Sequence, residues 1–383
     1  MNAGRNRPYR GLTWDHPRGY RALQAAAELM PLIEWDTHPL EGFESTPIAS
    51  LCARYDLVVL DHPHLGEALA HDCLQPLDEL FPAQDLARIA AASIGRSYDS
   101  YTMAGRQWAL PLDAATQVMA TRPDLLDEPV PRDWEAVRAL SARTRKVALS
   151  LAGPHAALSF LSIAAALDPS ADLRDGDRWH DLAVAIEACA MLTELAASSP
   201  ASVRACNPIA LLAHMTRHDD VALCPLVYGY VNYAHPSLDR PLSFHDAPAA
   251  AAGTPGSILG GTGIAISRRC QAGSELRAHL LWLLGESAQT GFIPEHEGQP
   301  SHRASWRSPP PGMPSPEFYT QTVRTLEAAS IRPRHDGYIA FQDRASALLR
   351  DGLASGTPAE ELARSLAALY EQSHASHHGN ARP

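Results

Sequence analysis

Two short segments concentrate side chains suited to holding a polar ligand: Trp14-Asp-His-Pro-Arg-Gly19 and Asp61-His-Pro-His64. Each follows a strand-like run, Tyr9 to Trp14 and Leu57 to Leu60, and each carries the tripeptide Asp-His-Pro. Trp14 offers a flat apolar face, Asp15 and Asp61 accept hydrogen bonds, Arg18 donates in a planar fork, and His16, His62 and His64 do either. That mixture suits stacking on a sugar or aromatic ring and hydrogen bonding its polar rim. The competing reading makes Trp14 a core aromatic and the two tripeptides turn caps. A metal site is a further alternative, because His-x-His on an extended strand end would point both rings the same way, with His16 and Asp15 or Asp61 completing the set. With 18 histidines in the chain such groupings arise readily, and no metal is assigned.

Further candidates lie downstream. Asp113 and Gln117 follow the extended run Trp108 to Leu112, Tyr228 and Tyr230 fall on one face of a strand by alternation, and Gly261 and Thr262 present backbone N–H groups in a glycine-rich run. Catalytic signatures are missing: there is no Walker A sequence, no GxSxG and no HExxH. Gly260-Gly-Thr-Gly-Ile-Ala265 precedes a strand instead of opening a helix, so it is no dinucleotide fingerprint. No catalytic residue and no cofactor are therefore expected.

The elements that must position these residues alternate. Strands at Tyr9 to Trp14, Leu32 to Trp35 and Leu57 to Leu60 frame a helix from Tyr20 to Met30, the pattern of a parallel α/β lobe. A second lobe follows, with helices at Trp134 to Thr144, Ala156 to Leu167 and Asp181 to Ala197, and strands at Lys146 to Leu151 and Asp219 to Tyr230. A strand at Ile264 to Ser267 and a helix from Ser274 to Gln289 return to the first lobe. Helices at Pro316 to Ala329, Ala340 to Ser355 and Pro358 to Gln372 precede a polar tail, 373–383, expected to be disordered.

Composition narrows the classes. The 383 residues are 45% hydrophobic and 20% charged, enough for two cores. Lys and Arg total 32 against 43 Asp and Glu, a net charge of -11, which leaves phosphate neutralisation without a source and argues against nucleic acid. Six scattered cysteines without CxxC spacing read as separate thiols, a set that suits a reducing compartment. No run reaches the ~18 apolar residues of a membrane-spanning helix. Met1 to Arg10 is basic but leads into no apolar stretch, so a cytoplasmic location is expected if Met1 is the native start.

Three segments then carry a resemblance that runs over nearly the whole chain. Trp108-Ala-Leu-Pro-Leu-Asp113 with Pro131-Arg-Asp-Trp-Glu135, Gly260-Gly-Thr-Gly-Ile-Ala-Ile266, and Gly291-Phe-Ile-Pro294 with Ser301-His-Arg-Ala304 follow one another as in the extracellular solute-binding proteins of ABC transporters, carbohydrate-binding branch. The resemblance implies an α/β, two-lobed type II periplasmic-binding-protein-like fold with a hinge and an interlobe cleft. Lobe I would hold 1–110 and 260–305, and lobe II 111–259 and 306–372. It implies a monomer that closes on a small polar solute for ABC-type import, with permease subunits as partners and a periplasmic location. The rival is a cytoplasmic enzyme or metabolite sensor on the same scaffold.

Overall fold

The computed structural model describes residues 7–40, 42, 46–174, 178–250 and 253–378. The chain divides into two units, 1–114 with 261–314 and 115–260 with 315–383.

Unit 1 opens with strand β1 (Tyr9–Trp14), helix α1 (Pro17–Leu29) and strand β2 (Ile33–His38). Helix α2 (Ile48–Cys52), strand β3 (Leu57–Leu60), helix α3 (Leu65–Ala70) and helix α4 (Ala83–Ala92) follow. β1 pairs in parallel with β2 over its whole length and with β3 at Gly11 and Leu12. The four residues Leu-Val-Val-Leu of β3 are all buried, as a strand covered on both faces must be. Gly11 is needed where β1 meets β2: a Cβ there would lie 2.5 Å from the Trp35 ring.

Strand β4 (Ala109–Thr121) carries the chain into unit 2 and is buried throughout. Helices α5 (Trp134–Thr144), α6 (His155–Leu167) and α7 (Leu182–Ser198) follow, then strands β5 (Leu223–Tyr228) and β6 (Ser243–His245). Asp133 caps α5, its carboxylate accepting from the Ala136 N–H at 2.8 Å. Both β5 and β6 pair antiparallel with β4, at Gln117 with Tyr228 and Met119 with His245.

Strand β7 (Leu259–Ile266) returns to unit 1 and pairs antiparallel with β3, Leu60 opposite Gly263. Helix α8 (Ser274–Leu283) completes that unit, and helices α9 (Tyr338–Ser355) and α10 (Ala359–His378) complete unit 2. The unit 2 core gathers Trp134, Phe160, Leu192, Phe341 and Leu366 from five helices, each buried large side chain contributing roughly 1.5 to 3 kcal/mol.

Several expectations change. The helix from Pro316 to Ala329 is two short helices, Pro316–Thr320 and Val323–Ala328, and the strand expected from Asp219 starts at Leu223. Val147 to Leu151 is buried, but the expected strand from Lys146 forms one bridge, Val147 with Leu223, because the Ser199 hydroxyl takes the Leu149 N–H and donates to the Val147 carbonyl, each at 3.2 Å. The glycine-rich run Gly260 to Gly263 is not a loop before a strand but lies within β7. Helix α8 stops at Leu283 before Gly285, and Ala288–Phe292 forms a wider π-helical turn. The expected disordered tail is helical through His378, the remainder lying outside the described residues.

Candidate functional site

β1 and β3 are parallel neighbours, so the segments leaving their carboxyl ends emerge at one edge of the unit 1 sheet. Both Asp-His-Pro tripeptides turn out to start helical turns. At β1, His16 caps α1 with Pro17 next to it, the His16 Nδ1 accepting the Arg18 N–H at 3.1 Å. At β3, Asp61 caps a 3₁₀ turn over His62–His64, its carboxylate accepting from the His62 N–H at 2.9 Å. The same three residue types thus cap with the imidazole in one case and the carboxylate in the other.

Around α1 the side chains interlock. The His16 ring stacks on Trp14 with centroids 5.3 Å apart and planes 9° from parallel. The Arg18 guanidinium lies 5.5 Å from the Trp14 ring. The indole edge rests on Gly19, where a Cβ would come within 2.4 Å of Nε1. Burial, reinforced by the Arg18 charge, pushes the His16 imidazole down to about 3, so the ring is neutral and its proton sits on Nε2.

Arg18 then forks onto Asp113, Nε donating to Oδ2 at 2.8 Å and Nη2 to Oδ1 at 2.5 Å. Both side chains are buried. Burial raises the Asp113 carboxyl above the usual carboxylate range, the Arg18 charge and hydrogen bonds oppose that rise, and the Asp61 charge adds to it. Asp113 is held from behind by a bridge to Pro300, while the Gln299 side chain donates to the Ala114 carbonyl at 3.1 Å and the Ser301 hydroxyl to the Pro111 carbonyl at 2.5 Å. The segment after Gly291 therefore serves to clamp the start of β4.

His62 meets Tyr101 edge-on at 6.3 Å, and the Tyr101 hydroxyl donates to the Leu60 carbonyl at 3.2 Å. His62 and His64 are both buried. The expectation that they point the same way fails, because a 3₁₀ turn of three residues splays side chains two positions apart. Among the described residues no group of three or more His, Cys, Asp or Glu side chains is placed to hold a metal ion. Asp15 is exposed, apart from the buried group, and its N–H fixes the end of β1 to His38.

The remaining candidates are in unit 2 or on β7. Gln117 is enclosed in a hydroxyl network: its Oε1 accepts from Ser162 at 2.7 Å, its carbonyl accepts from Ser257 at 2.7 Å, and Ser257 meets Thr116 at 2.6 Å. Its carboxamide nitrogen has no acceptor among the described residues. Tyr228 is half-buried at the end of β5, edge-on to His155 at 6.1 Å and so close over Gly260 that a Cβ there would lie 2.4 Å from the ring. Tyr230 lies past the strand, so alternation does not carry it to the face of Tyr228, and it packs on Tyr233. Gly261 has φ +87°, and Thr262 is buried.

Sequence reasoning passed over Tyr101, His155, Arg332 and Arg334. The two arginines are buried in unit 2, Arg332 donating to the Leu259 carbonyl at 3.3 Å and to Gln342 at 3.2 Å. Burial, with the Arg332 and Arg350 charges, pushes His155 down to about 3. The pattern Arg332-Pro-Arg-His335 was the available signal, since such residues are rarely buried without a role.

Comparison with known proteins adds to this geometry. The family model described as bacterial extracellular solute-binding protein matches residues 48–292. A solute-binding protein of an ABC transporter from Agrobacterium radiobacter K84, in complex with ribitol, superposes with a TM-score of 0.77 at 17% identity, over 97% of this chain and 98% of that one. A solute-binding protein from Thermotoga lettingae TMO bound with α-D-tagatose gives 0.77 at 14% identity over 96% and 100%. The maltose-bound MalE3 of T. maritima gives 0.75 at 15% identity over 95% and 99%. No curated protein matches the chain in sequence. The superpositions bear out the mixed α/β, two-lobed fold class.

Proposed function

Because the chain belongs to the family of bacterial extracellular solute-binding proteins, we propose that it binds a small polyhydroxylated solute, a sugar or polyol, and presents it as a monomer to the permease of an ABC importer. The family model spans well over half of the chain, and the ribitol, tagatose and maltose held by three proteins of the same fold support this solute class. The family is extracellular, and none of the described helices is long and apolar enough to cross a membrane. The match favours binding over an enzyme or sensor on the same scaffold.

The observation that carries the reading in this chain is the buried Arg18–Asp113 fork beside Trp14, His16 and Asp61. Trp14 is buried beneath His16 and Arg18, so it backs the fork, and the planar guanidinium with the carboxylates beside it suits the hydroxyl rim of a carbohydrate. On this proposal Trp14 and His16 orient the fork, Arg18, Asp61 and Asp113 bond hydroxyls, and His62 and His64 shape the adjoining wall. Tyr228 and Thr262 are further candidates, and Gln117 is a packing residue. Asp15 and Tyr230 carry less of the proposal, since the first is exposed and the second packs on Tyr233, and Gly261 offers its backbone N–H alone. The acidic net charge of -11 fits a neutral solute and gives no purchase to nucleic acid.

Native mass spectrometry of the purified protein tests the solute class. A co-purified neutral species with the mass of a sugar or polyol is expected. One equivalent of a metal ion, with no organic ligand and none acquired from a sugar mixture, would overturn the proposal.

A further inference from the structure

All six cysteines are free thiols, as the absence of CxxC spacing suggests, but two of them are neighbours. Cys52, the last residue of α2, and Cys73, in the turn after α3, are hydrogen-bonded side chain to side chain, although 21 positions separate them. Both belong to the same apolar cluster of unit 1, Cys52 fully inside it and Cys73 packed against its edge and partly exposed. Cys73 is pinned on both sides: its N–H donates to the Ala68 carbonyl at 3.1 Å and its carbonyl accepts from the Arg268 N–H at 2.8 Å. Neither thiol takes part in the candidate ligand site.

We propose that Cys52 and Cys73 form an intrachain disulfide when the protein meets an oxidising compartment. Extracellular proteins keep such bonds, whereas thiols stay reduced inside the cell, and this chain belongs to an extracellular family. The oxidant is a disulfide, either a small one such as oxidised glutathione or that of a thiol oxidase. Cys73 is the nucleophile, being the more exposed of the two and lowered by the hydrogen bond it accepts from Cys52, which that bond and burial push up. Its thiolate attacks the oxidant disulfide and expels one thiolate, leaving a mixed disulfide on Cys73. Cys52 gives up its proton to the expelled thiolate and attacks the Cys73 sulfur, expelling the second thiolate, which takes up from water the proton that Cys73 released to it. Two thiols are oxidised to one disulfide, and the oxidant disulfide is reduced to two thiols.

The bond closes a loop that contains β3 and the Asp61–His64 turn, so it braces one wall of the candidate site without touching it. This inference concerns the chain's own thiols and stands whether or not the solute is a sugar.

The test uses the full chain, purified reduced and then treated with oxidised glutathione. Intact mass should fall by about 2 Da, the two hydrogens lost. Tryptic mapping should join the peptide Ala22–Arg54 to Tyr55–Arg88 through Cys52 and Cys73. Cys52→Ser should instead stop at the glutathione adduct on Cys73. If that variant fails to fold, the wild-type peptide map decides alone. Retention of all six thiols, a stable glutathione adduct on wild-type Cys73, or a crosslink from either residue to Cys270 or another cysteine would each overturn the proposal.

Discussion

Arg18 and Asp113 set the energetics at the level of single residues. Removing one member of a buried ion pair strands the other, so Arg18→Ala should cost about 3 to 5 kcal/mol of stability in denaturant melts, whereas replacing both members with Met and Leu should recover much of that loss. Solute affinity should not recover in the double variant, and calorimetric binding equal to wild type would remove the fork from the site. Burial of histidines gives a pH signature of definite sign. His155 titrates at about 3 in the folded protein and near 6.5 when unfolded, so below 6.5 the unfolded chain binds the extra proton. Its contribution is fully present above 6.5 and is lost as pH falls, at up to about 1.4 kcal/mol per pH unit until pH approaches 3. His155→Gln should therefore flatten the fall of melting temperature between pH 6.5 and 4.5; an unchanged slope would mean that the ring is solvated. The residue types at Trp14 to Arg18 and Asp61 to His64 were visible in the sequence because each set follows a strand. Their partner Asp113 was visible only as a separate candidate, since an ion pair across 95 positions leaves no local trace. The arginines after Ser330 stood out only as a basic cluster, since their burial leaves no local trace either.

Elements were easier to read than contacts wherever periodicity and a cap coincide. β1, β3 and α5 begin and end at the expected residues, and Asp133 before Trp134 marks a helix start by its side chain alone. Lys146 to Leu151 failed because an apolar run states burial and not pairing; the Ser199 hydroxyl that replaces the ladder lies some 50 positions away. β7 failed differently. Its glycines suggest a loop, yet they are required by what lies over the strand: a Cβ at Gly263 would approach the Tyr101 ring to 2.7 Å and the Ala109 Cβ to 2.9 Å. Gly263→Ala should accordingly cost about 1 to 3 kcal/mol through overpacking, measured as a lower denaturation midpoint with unchanged slope. A variant as stable as wild type would show that the close approach of Tyr101 does not constrain β7.

For the molecule as a whole, the chain passes between its two units at 114 to 115, 260 to 261 and 314 to 315, so a few backbone segments carry all covalent restraint between them. Closure on a ligand, the behaviour proposed for this family member, predicts a smaller radius of gyration in small-angle scattering at saturating solute, and an unchanged radius would speak against it. The order of motifs from Trp108 to Ala304 made the fold readable through the resemblance it carries, and only the segments Trp108 to Asp113 and Gly260 to Ile266 lie beside a passage between the units. The identity of the solute was not readable, because it depends on hydroxyl-by-hydroxyl geometry among residues far apart in sequence. The central claim is tested most directly by isothermal titration calorimetry of the full chain with ribitol, tagatose and maltose, followed by a wider set of neutral sugars and polyols. At least one should bind with one-to-one stoichiometry and a Kd on the order of 1 μM or tighter, about -8 kcal/mol, and Arg18→Lys should weaken it by at least tenfold because an ammonium cannot keep the fork. A folded protein that binds none of them would contradict the account.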